Sequence, residues 1–247
     1  MTSLAALFDR RRGIVPSCDV PTLNELSSLV EETAALKCIV GYKIGMILAL
    51  RYGLPSVAEV IRRWTDKPII YDHQKFGGDI PDIVSGDVLA GLAEAGVTAA
   101  IIFPHGGIET LRAAVQGCVR EDLVPVVGGQ MTHAGYVVRE GGYIADDAPE
   151  RMYLDAAHTG AVRYFVVPGT KPEWLGAYSS LVASVVAKPG FLLPGIGKGQ
   201  GGDIVEAFRI LEPYDSYAIV GRGIYAESDK PAAVERLWSS VAQAGLG

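Results

Sequence analysis

The chain has 247 residues, of which 49% are hydrophobic and 20% charged, and its formal net charge at pH 7 is −6. This composition excludes an intrinsically disordered chain. The acidic balance argues against nucleic acid or an anionic membrane surface as the main partner. No apolar run approaches the ~18 residues of a membrane span, and charged residues follow the first apolar patch, the reverse of a secretory signal. We therefore expect a cytoplasmic protein in which any anionic ligand is held by local geometry.

Strands and helices are predicted to alternate along the chain. The predicted strands are short runs rich in Val, Ile and Leu, as expected when both faces of a parallel sheet are covered. They lie at residues 14–19, 38–43, 68–71, 97–103, 123–127, 161–167, 191–193 and 216–220. A helix follows each strand, and these helices are predicted to end near residues 36, 64, 95, 120, 159, 187, 211 and 244. Eight such units favour a single (β/α)8 TIM barrel domain over residues 1–247 rather than an open doubly wound sheet.

Polar side chains end strand after strand. In a barrel, all the carboxyl ends of the strands lie on one face, where active sites occur. The polar residues at these ends are Asp19, Lys43, Asp72 with Lys75, His105, Thr132 with His133, Gln200 and Arg222. On the first three strands acids and bases alternate, so that neighbouring charges keep the carboxylates ionised and the lysines protonated. Such a fixed field can stabilise a transition state; the alternative is a set of structural ion pairs.

The stretch after the third strand concentrates charge, with Asp72, Lys75 and Asp79 separated by Gly77 and Gly78. Charges at the end of a buried strand are costly to desolvate unless they pair, which indicates a functional site. The alternative is that Asp79 caps a helix beginning near Pro81 and that Lys75 is a solvated loop residue.

A glycine-rich turn, residues 194–202, follows the seventh strand, and Gly221-Arg222 follows the eighth. Glycines let backbone N–H groups approach an anion, and arginine can bind phosphate with two hydrogen bonds. Barrels often place a phosphate site at these two strands. Together the two motifs predict a phosphate site.

The remaining candidates are weaker. His105 and His133 could contact a substrate, but without clustered ligands a metal site is not expected. The odd number of cysteines and their spacing disfavour a disulfide framework or a metal site, and Cys18 is interpreted as a packing residue. Residues 136–147 form either a mobile lid or an ordinary long surface loop.

These residues together resemble the orotidine 5′-phosphate decarboxylase family over nearly the whole chain. That family has Asp-x-Lys-x-x-Asp-Ile-Pro after strand three, a Pro-Gly-x-Gly…Gln-Gly-Gly loop after strand seven and Gly-Arg after strand eight. The matching positions here are Asp19, Lys43, Asp72, Lys75, Asp79-Ile80-Pro81, Thr132, Gln200-Gly201-Gly202 and Gly221-Arg222. The signature after strand three departs from the family pattern, because it reads Asp-x-x-Lys-x-x-x-Asp, one residue longer on each side of the lysine.

The resemblance implies decarboxylation of orotidine 5′-phosphate to uridine 5′-phosphate, in de novo pyrimidine biosynthesis, with neither cofactor nor metal. It implies that Lys75 is the general acid beside Asp72, and that Lys43 and Asp19 orient the network and hold the ribose. Thr132 would bind the pyrimidine edge. The phosphate would be held by Gln200, Gly201, Gly202, Gly221 and Arg222. His105 and Pro194 are further candidates. In the family the second Asp of the signature reaches the partner's site, so Asp79 implies a homodimer.

Three alternatives stay open. One is a metal-dependent sugar-phosphate decarboxylase or aldolase of the same superfamily, which Lys43 disfavours because those branches carry a Glu at that position. Another is a nucleotide-binding barrel that has lost catalysis through the altered spacing around Lys75. The third is a different phosphosugar barrel, in whose chemistry the alternating acids and lysines have no evident role.

Overall fold

The computed structural model describes residues 6–72, 76–197 and 201–247. The strands are β1 (Arg12–Pro16), β2 (Tyr42–Ile44), β3 (Ile69–Asp72), β4 (Ala99–Ile102), β5 (Val124–Gly128), β6 (Tyr164–Val166), β7 (Gly190–Leu193) and β8 (Asp215–Val220). The α-helices are α1 (Leu23–Thr33), α2 (Met46–Tyr52), α3 (Leu54–Arg62), α4 (Pro81–Ser85), α5 (Asp87–Glu94), α6 (Ile108–Arg120), α7 (Ala148–His158), α8 (Pro172–Ala183), α9 (Ile204–Ile210), α10 (Arg222–Tyr225) and α11 (Lys230–Gln243). Short 3-10 helices cover Phe76–Gly78 and Val138–Glu140.

The eight strands form one parallel sheet in the order β1-β8-β7-β6-β5-β4-β3-β2. Bridges between Ile14 and Ile39 and between Ser17 and Lys43 join its two ends. The N–H of Cys18 donates to the carbonyl oxygen of Lys43 at 2.8 Å across this junction. The sheet is therefore a nearly closed barrel surrounded by helices, and the (β/α)8 TIM barrel prediction is confirmed.

Two predicted helices are each divided in the structure. The segment 44–64 forms α2 and α3, separated at Gly53, whose φ of 76° ends the first helix. Pro55 then stands in the first turn of α3, where its missing N–H costs nothing. The segment 81–95 forms α4 and α5, with a non-helical Gly86 between them. At the N-terminus of α1, the side chain of Thr22 accepts a hydrogen bond from the N–H of Glu25 and so caps the helix.

Apolar side chains form a layer inside the barrel and a larger layer between the sheet and the helices. The amino ends of the strands are closed by the segment before β1. There the Phe8 ring lies 4.0 Å from that of Tyr217, and the N–H of Leu7 donates to the Tyr164 hydroxyl at 2.9 Å. The opposite end of the barrel interior remains open to a ligand. In the part of the chain that the structure describes, no helix has the length and apolar character needed to cross a bilayer.

Candidate active site at the carboxyl ends of the strands

A cavity of about 370 Å³ opens at the carboxyl ends of the strands. It is lined by Ser17, Asp19, Lys43, Asp72, Thr132, His133, Thr170, Pro194, Gly195, Ile219, Gly221 and Arg222. Eight of the residues predicted for the site thus lie around one space, namely Asp19, Lys43, Asp72, Thr132, His133, Pro194, Gly221 and Arg222. They come together because parallel strands in a barrel all end on the same face.

Lys43 lies at the centre of the charged part of this cavity. Its neighbours Tyr42 and Ile44 pack outward into the layer beneath the helices, so strand alternation directs the lysine into the barrel. Its Nζ lies 2.9 Å from Oδ2 of Asp72 and 3.9 Å from Oδ1 of Asp19. Burial lowers the pKa of Lys43, but the carboxylates of Asp72 and Asp19 outweigh burial and raise it above its ordinary value. Lys43 is therefore a cation held between two carboxylates.

Asp72 ends β3, and its two carboxylate oxygens have different surroundings. Oδ2 accepts from Lys43, whereas Oδ1 is buried and has no hydrogen-bond partner among the described residues. An unpaired buried carboxylate oxygen is costly. Oδ1 is therefore available to act on a group that enters the cavity.

Asp19 is held by two residues that the sequence analysis did not select. The Ser17 hydroxyl donates to Oδ2 of Asp19 at 2.6 Å. A Cβ at Gly45 would lie 2.5 Å from Oδ1 of Asp19, so any other residue at this position would displace the carboxylate. Ser17 could have been found from its spacing, because residues two apart on a strand face the same side. No such local signal identifies Gly45.

The opposite side of the cavity carries the glycine-rich turn and Arg222. The N–H of Gly202 donates to the carbonyl oxygen of Gly195, and the N–H of Gly197 donates to that of Gly202, both at 3.0 Å. Gly201 and Gly202 thus form the base of the turn and do not line the cavity. Arg222 begins α10 directly after β8 and forms no ion pair with any described residue. Its guanidinium is available to an anion.

Thr170 also lines the cavity, although the sequence analysis did not select it. Its hydroxyl donates to the carbonyl oxygen of Thr132 at 3.0 Å, and a Cβ at Gly195 would lie 2.6 Å from its Cγ2. It therefore packs between the loop after β5 and the turn after β7. The pattern of strand-end charges could not reveal it, because Thr170 lies in the loop beyond β6 and is uncharged.

His105 lies outside this cavity. It lines a separate one of about 210 Å³, together with residues of α6 and α7. Its Nε2 is 2.8 Å from the Tyr136 hydroxyl, and its ring stacks on Phe103. Burial lowers the pKa of His105. Two residues, Phe103 and Pro104, separate His105 from the end of β4, and they let its ring turn toward the loop after β5.

Asp79 is exposed and also lies outside the cavity of its own chain. Its Oδ1 accepts from the N–H of Ile80 at 2.8 Å, and its carbonyl oxygen accepts from the Thr110 hydroxyl at 2.9 Å. The N-cap of α4 is Ile80, so Asp79 does not cap that helix. Lys75 and Gln200 lie outside the described residues.

Cys18 is buried and packs in the outer apolar layer. Burial raises the pKa of its thiol well above the ordinary value, so the thiolate needed for nucleophilic attack is disfavoured. Within the described ranges, no cluster of three or more His, Cys, Asp or Glu side chains could hold a metal ion.

The fold and this cavity define the chain as a (β/α)8 barrel with an active-site-like cleft at the carboxyl ends of its strands. A family model for the orotidine 5′-phosphate decarboxylase / HUMPS family matches residues 13–237. The chain belongs to this family. The match includes every residue that lines the cavity.

Individual relatives agree with this assignment. The chain is similar to the orotidine 5′-phosphate decarboxylase of Methanosphaera stadtmanae, at 27% identity over 235 residues, which cover 94% of this chain and 98% of that one. Among solved structures it resembles the orotidine 5′-monophosphate decarboxylase of Methanocaldococcus jannaschii complexed with the inhibitor BMP, with a TM-score of 0.78, 21% identity and coverage of 91% and 96%. It also resembles the enzyme of Pyrococcus horikoshii, with a TM-score of 0.75, 21% identity and coverage of 93% and 99%. At 21% identity, the two solved structures show a shared fold. The family and the relative are named for orotidine 5′-phosphate decarboxylase, which is a carboxy-lyase.

Proposed function

We propose that the protein is an orotidine 5′-phosphate decarboxylase that forms uridine 5′-phosphate without a cofactor, in cytoplasmic de novo pyrimidine biosynthesis. The observation that carries this proposal is the row Asp19–Lys43–Asp72 on three consecutive strands, with the Nζ of Lys43 2.9 Å from Asp72. This row lies in one cavity with an arginine that no described carboxylate neutralises. The family match supports the same activity.

Asp72 is proposed to face the carboxylate of the substrate. Its unpaired Oδ1 would repel that group in the ground state, and the repulsion ends when carbon dioxide leaves. Lys43 is held protonated between two acids and pairs with Oδ2 of Asp72, which leaves Oδ1 to face the substrate. The bond from carbon 6 to the carboxyl group breaks, and its electron pair stays on carbon 6. Lys75 is proposed to donate a proton there as the general acid.

The remaining residues are proposed to bind the nucleotide. Asp19 and Lys43 would hold the ribose hydroxyls, and Thr132 the pyrimidine edge. The phosphate would be bound by Gly221-Arg222, which line the cavity. Gln200 and the backbone of Gly201 and Gly202 would join them from the turn after β7, in which Gly202 is hydrogen-bonded to Gly195 of the cavity lining. Arg222 follows β8, three strands from Asp72 in the closed barrel, so the two anionic groups of the substrate would lie at opposite sides of the cavity. Phosphate binding energy could then oppose the repulsion at Asp72.

A homodimer is also proposed, with Asp79 reaching into the partner's cavity. Asp79 is exposed beside Ile80 and Ile83, which are exposed apolar residues at the start of α4. On the preceding unit of the barrel, α2 exposes Met46, Ile47 and Leu50, the last to 74%. Contiguous exposed apolar residues commonly mark an interface. A second copy of the chain would cover both helices and bring Asp79 to a neighbouring site.

The direct test follows the ultraviolet absorbance of orotidine 5′-phosphate with purified protein in excess EDTA, beside Lys75→Ala. We expect turnover in EDTA that disappears in the variant, although the variant still binds a uridine phosphate. Absence of turnover both in EDTA and with magnesium restored would refute the decarboxylase. In that case, binding of uridine 5′-phosphate would indicate a silent nucleotide-binding barrel, and magnesium-dependent conversion of a sugar phosphate would indicate the other branch of the family.

A further inference from the structure

The loop between β5 and α7, residues 129–147, has two parts with different positions. Its beginning carries Thr132 and His133, which line the cavity. Its later part folds back on itself, with the N–H of Val138 donating to the carbonyl oxygen of Ile144 at 2.8 Å. Glu140 lies in this later part and does not line the cavity.

The Glu140 carboxylate accepts hydrogen bonds from three residues. Oε1 lies 2.6 Å from Nζ of Lys171, at the N-terminus of α8, and 3.5 Å from Nε2 of Gln130. Oε2 accepts from the N–H of Tyr136 at 3.3 Å. The side chains of Glu140 and Lys171 are only 21% and 13% exposed. A pair this shielded interacts more strongly than a fully exposed surface pair.

Two of these contacts lead to residues around the main cavity. Lys171 follows Thr170, whose hydroxyl donates to the carbonyl oxygen of Thr132. Gln130 precedes Thr132 by two residues and is almost fully buried, and its Oε1 has no hydrogen-bond partner among the described residues. The backbone of Thr132 therefore lies between two anchors, Thr170 and Gln130, which both lead to Glu140.

We propose that Glu140 is a positioning residue that fixes Thr132 in the cavity through Lys171 and Gln130. The carboxylate ties together the loop after β5 and the loop after β6. An effect of Glu140 on substrate binding rests on the proposed function, in which Thr132 binds the pyrimidine edge.

The first test uses amide hydrogen exchange and needs no substrate. Glu140→Ala is compared with Glu59→Ala, which removes a carboxylate from an exposed ion pair with Arg63 on α3. We expect faster exchange in peptides that contain Thr132 and Thr170 in Glu140→Ala alone. Glu140→Gln, which keeps an acceptor oxygen for Lys171 but not the charge, is expected to lie between Glu140→Ala and the wild type. Unchanged exchange in both peptides of folded Glu140→Ala would overturn the proposal.

The second test is a double-mutant cycle with Thr132→Ala. Glu140→Ala is expected to raise KM about fivefold to tenfold with a smaller change in kcat. Thr132→Ala should then cost less in the Glu140→Ala background than in the wild type, because a displaced Thr132 has less contact to lose. Additive effects, together with a lowered Tm, would show a merely structural role. If exchange rises but the wild type has no decarboxylase activity, the proposed function fails and the positioning role stands.

Discussion

The Nζ of Lys43 lies 2.9 Å from Oδ2 of Asp72, where β2 and β3 end side by side inside the barrel. The lysine is 8% exposed, so this pair is shielded from solvent. Asp19 approaches the same nitrogen from the other side. The three residues Asp19, Lys43 and Asp72 together carry two negative charges and one positive charge. A further cation would make this group neutral. Lys75 is the residue that we propose for that role.

Removing the central cation is expected to damage both stability and activity. In Lys43→Met, two carboxylates lose their partner in a shielded site, and such a loss typically costs about 3 kcal/mol of unfolding free energy. Denaturant unfolding at pH 7 measures this change, and turnover should become undetectable. Arg63→Met is the control, because Arg63 pairs with Glu59 at 2.8 Å and both side chains are more than half exposed; this substitution should cost no more than about 1 kcal/mol of unfolding free energy. Equal decreases of the unfolding free energy in the two variants would contradict the prediction.

The stability of the fold should depend on Lys43 at alkaline pH. Its pKa is raised in the folded state, because Asp72 and Asp19 outweigh the effect of burial. Its stabilising contribution is thus complete below the unfolded-state pKa of about 10.4 and is lost as pH rises through the higher folded-state value. The wild type should therefore lose its advantage over Lys43→Met above about pH 10.4. If the difference in unfolding free energy between the wild type and Lys43→Met stays constant as the pH rises, the pKa of Lys43 is not raised.

A single methyl group at Gly45 should disturb Asp19. The added Cβ would lie 2.5 Å from Oδ1 of Asp19, whereas the φ of −99° at Gly45 is accessible to alanine. We expect Gly45→Ala to raise KM about tenfold while circular dichroism stays unchanged. Gly91→Ala on α5, where a Cβ meets nothing within 4 Å, is the control and should leave KM unchanged. A wild-type KM in Gly45→Ala would show that Asp19 does not contact the substrate.

Arg222→Ala should weaken the binding of phosphorylated substrate selectively. Loss of charge-assisted hydrogen bonds is expected to cost about 1.5–3 kcal/mol, or roughly 10- to 100-fold in KM. Arg222→Lys should restore part of the lost affinity, because lysine keeps the positive charge but lacks the two parallel N–H donors of the guanidinium. The nucleoside orotidine, which lacks the phosphate, should react equally with wild type and variant. Arg236→Ala, which breaks an exposed pair with Glu227, is the control. An equal loss toward orotidine would place Arg222 away from the phosphate.

Subunit mixing tests whether Asp79 acts across an interface. Asp79→Ala and Lys75→Ala should each be inactive alone. If a site takes Lys75 from one subunit and Asp79 from the other, a mixed dimer contains one intact site. Random reassortment should then restore about a quarter of wild-type activity. A mixture that remains inactive after verified subunit exchange would mean that each chain supplies both residues to its own site.

The barrel and most of its charged face could be predicted from the alternation of strands and helices along the chain. Eight apolar runs, each followed by a helix, leave few arrangements that bury both faces of a parallel sheet. The barrel then carries the strand-end residues Asp19, Lys43, Asp72 and Arg222 to one face, whatever the loops do. For this reason local patterns were sufficient for these positions.

The residues that surround those side chains could not be predicted, because they are brought together by the packing of the loops. Ser17 and Thr170 line the cavity and His105 does not, because the path of each loop depends on the elements against which it packs. The space that Gly45 leaves for Asp19 and the contacts of Glu140 with Lys171 and Gln130 join positions far apart in sequence. Such contacts have no local signature, since they arise when separate loops meet over the end of the barrel.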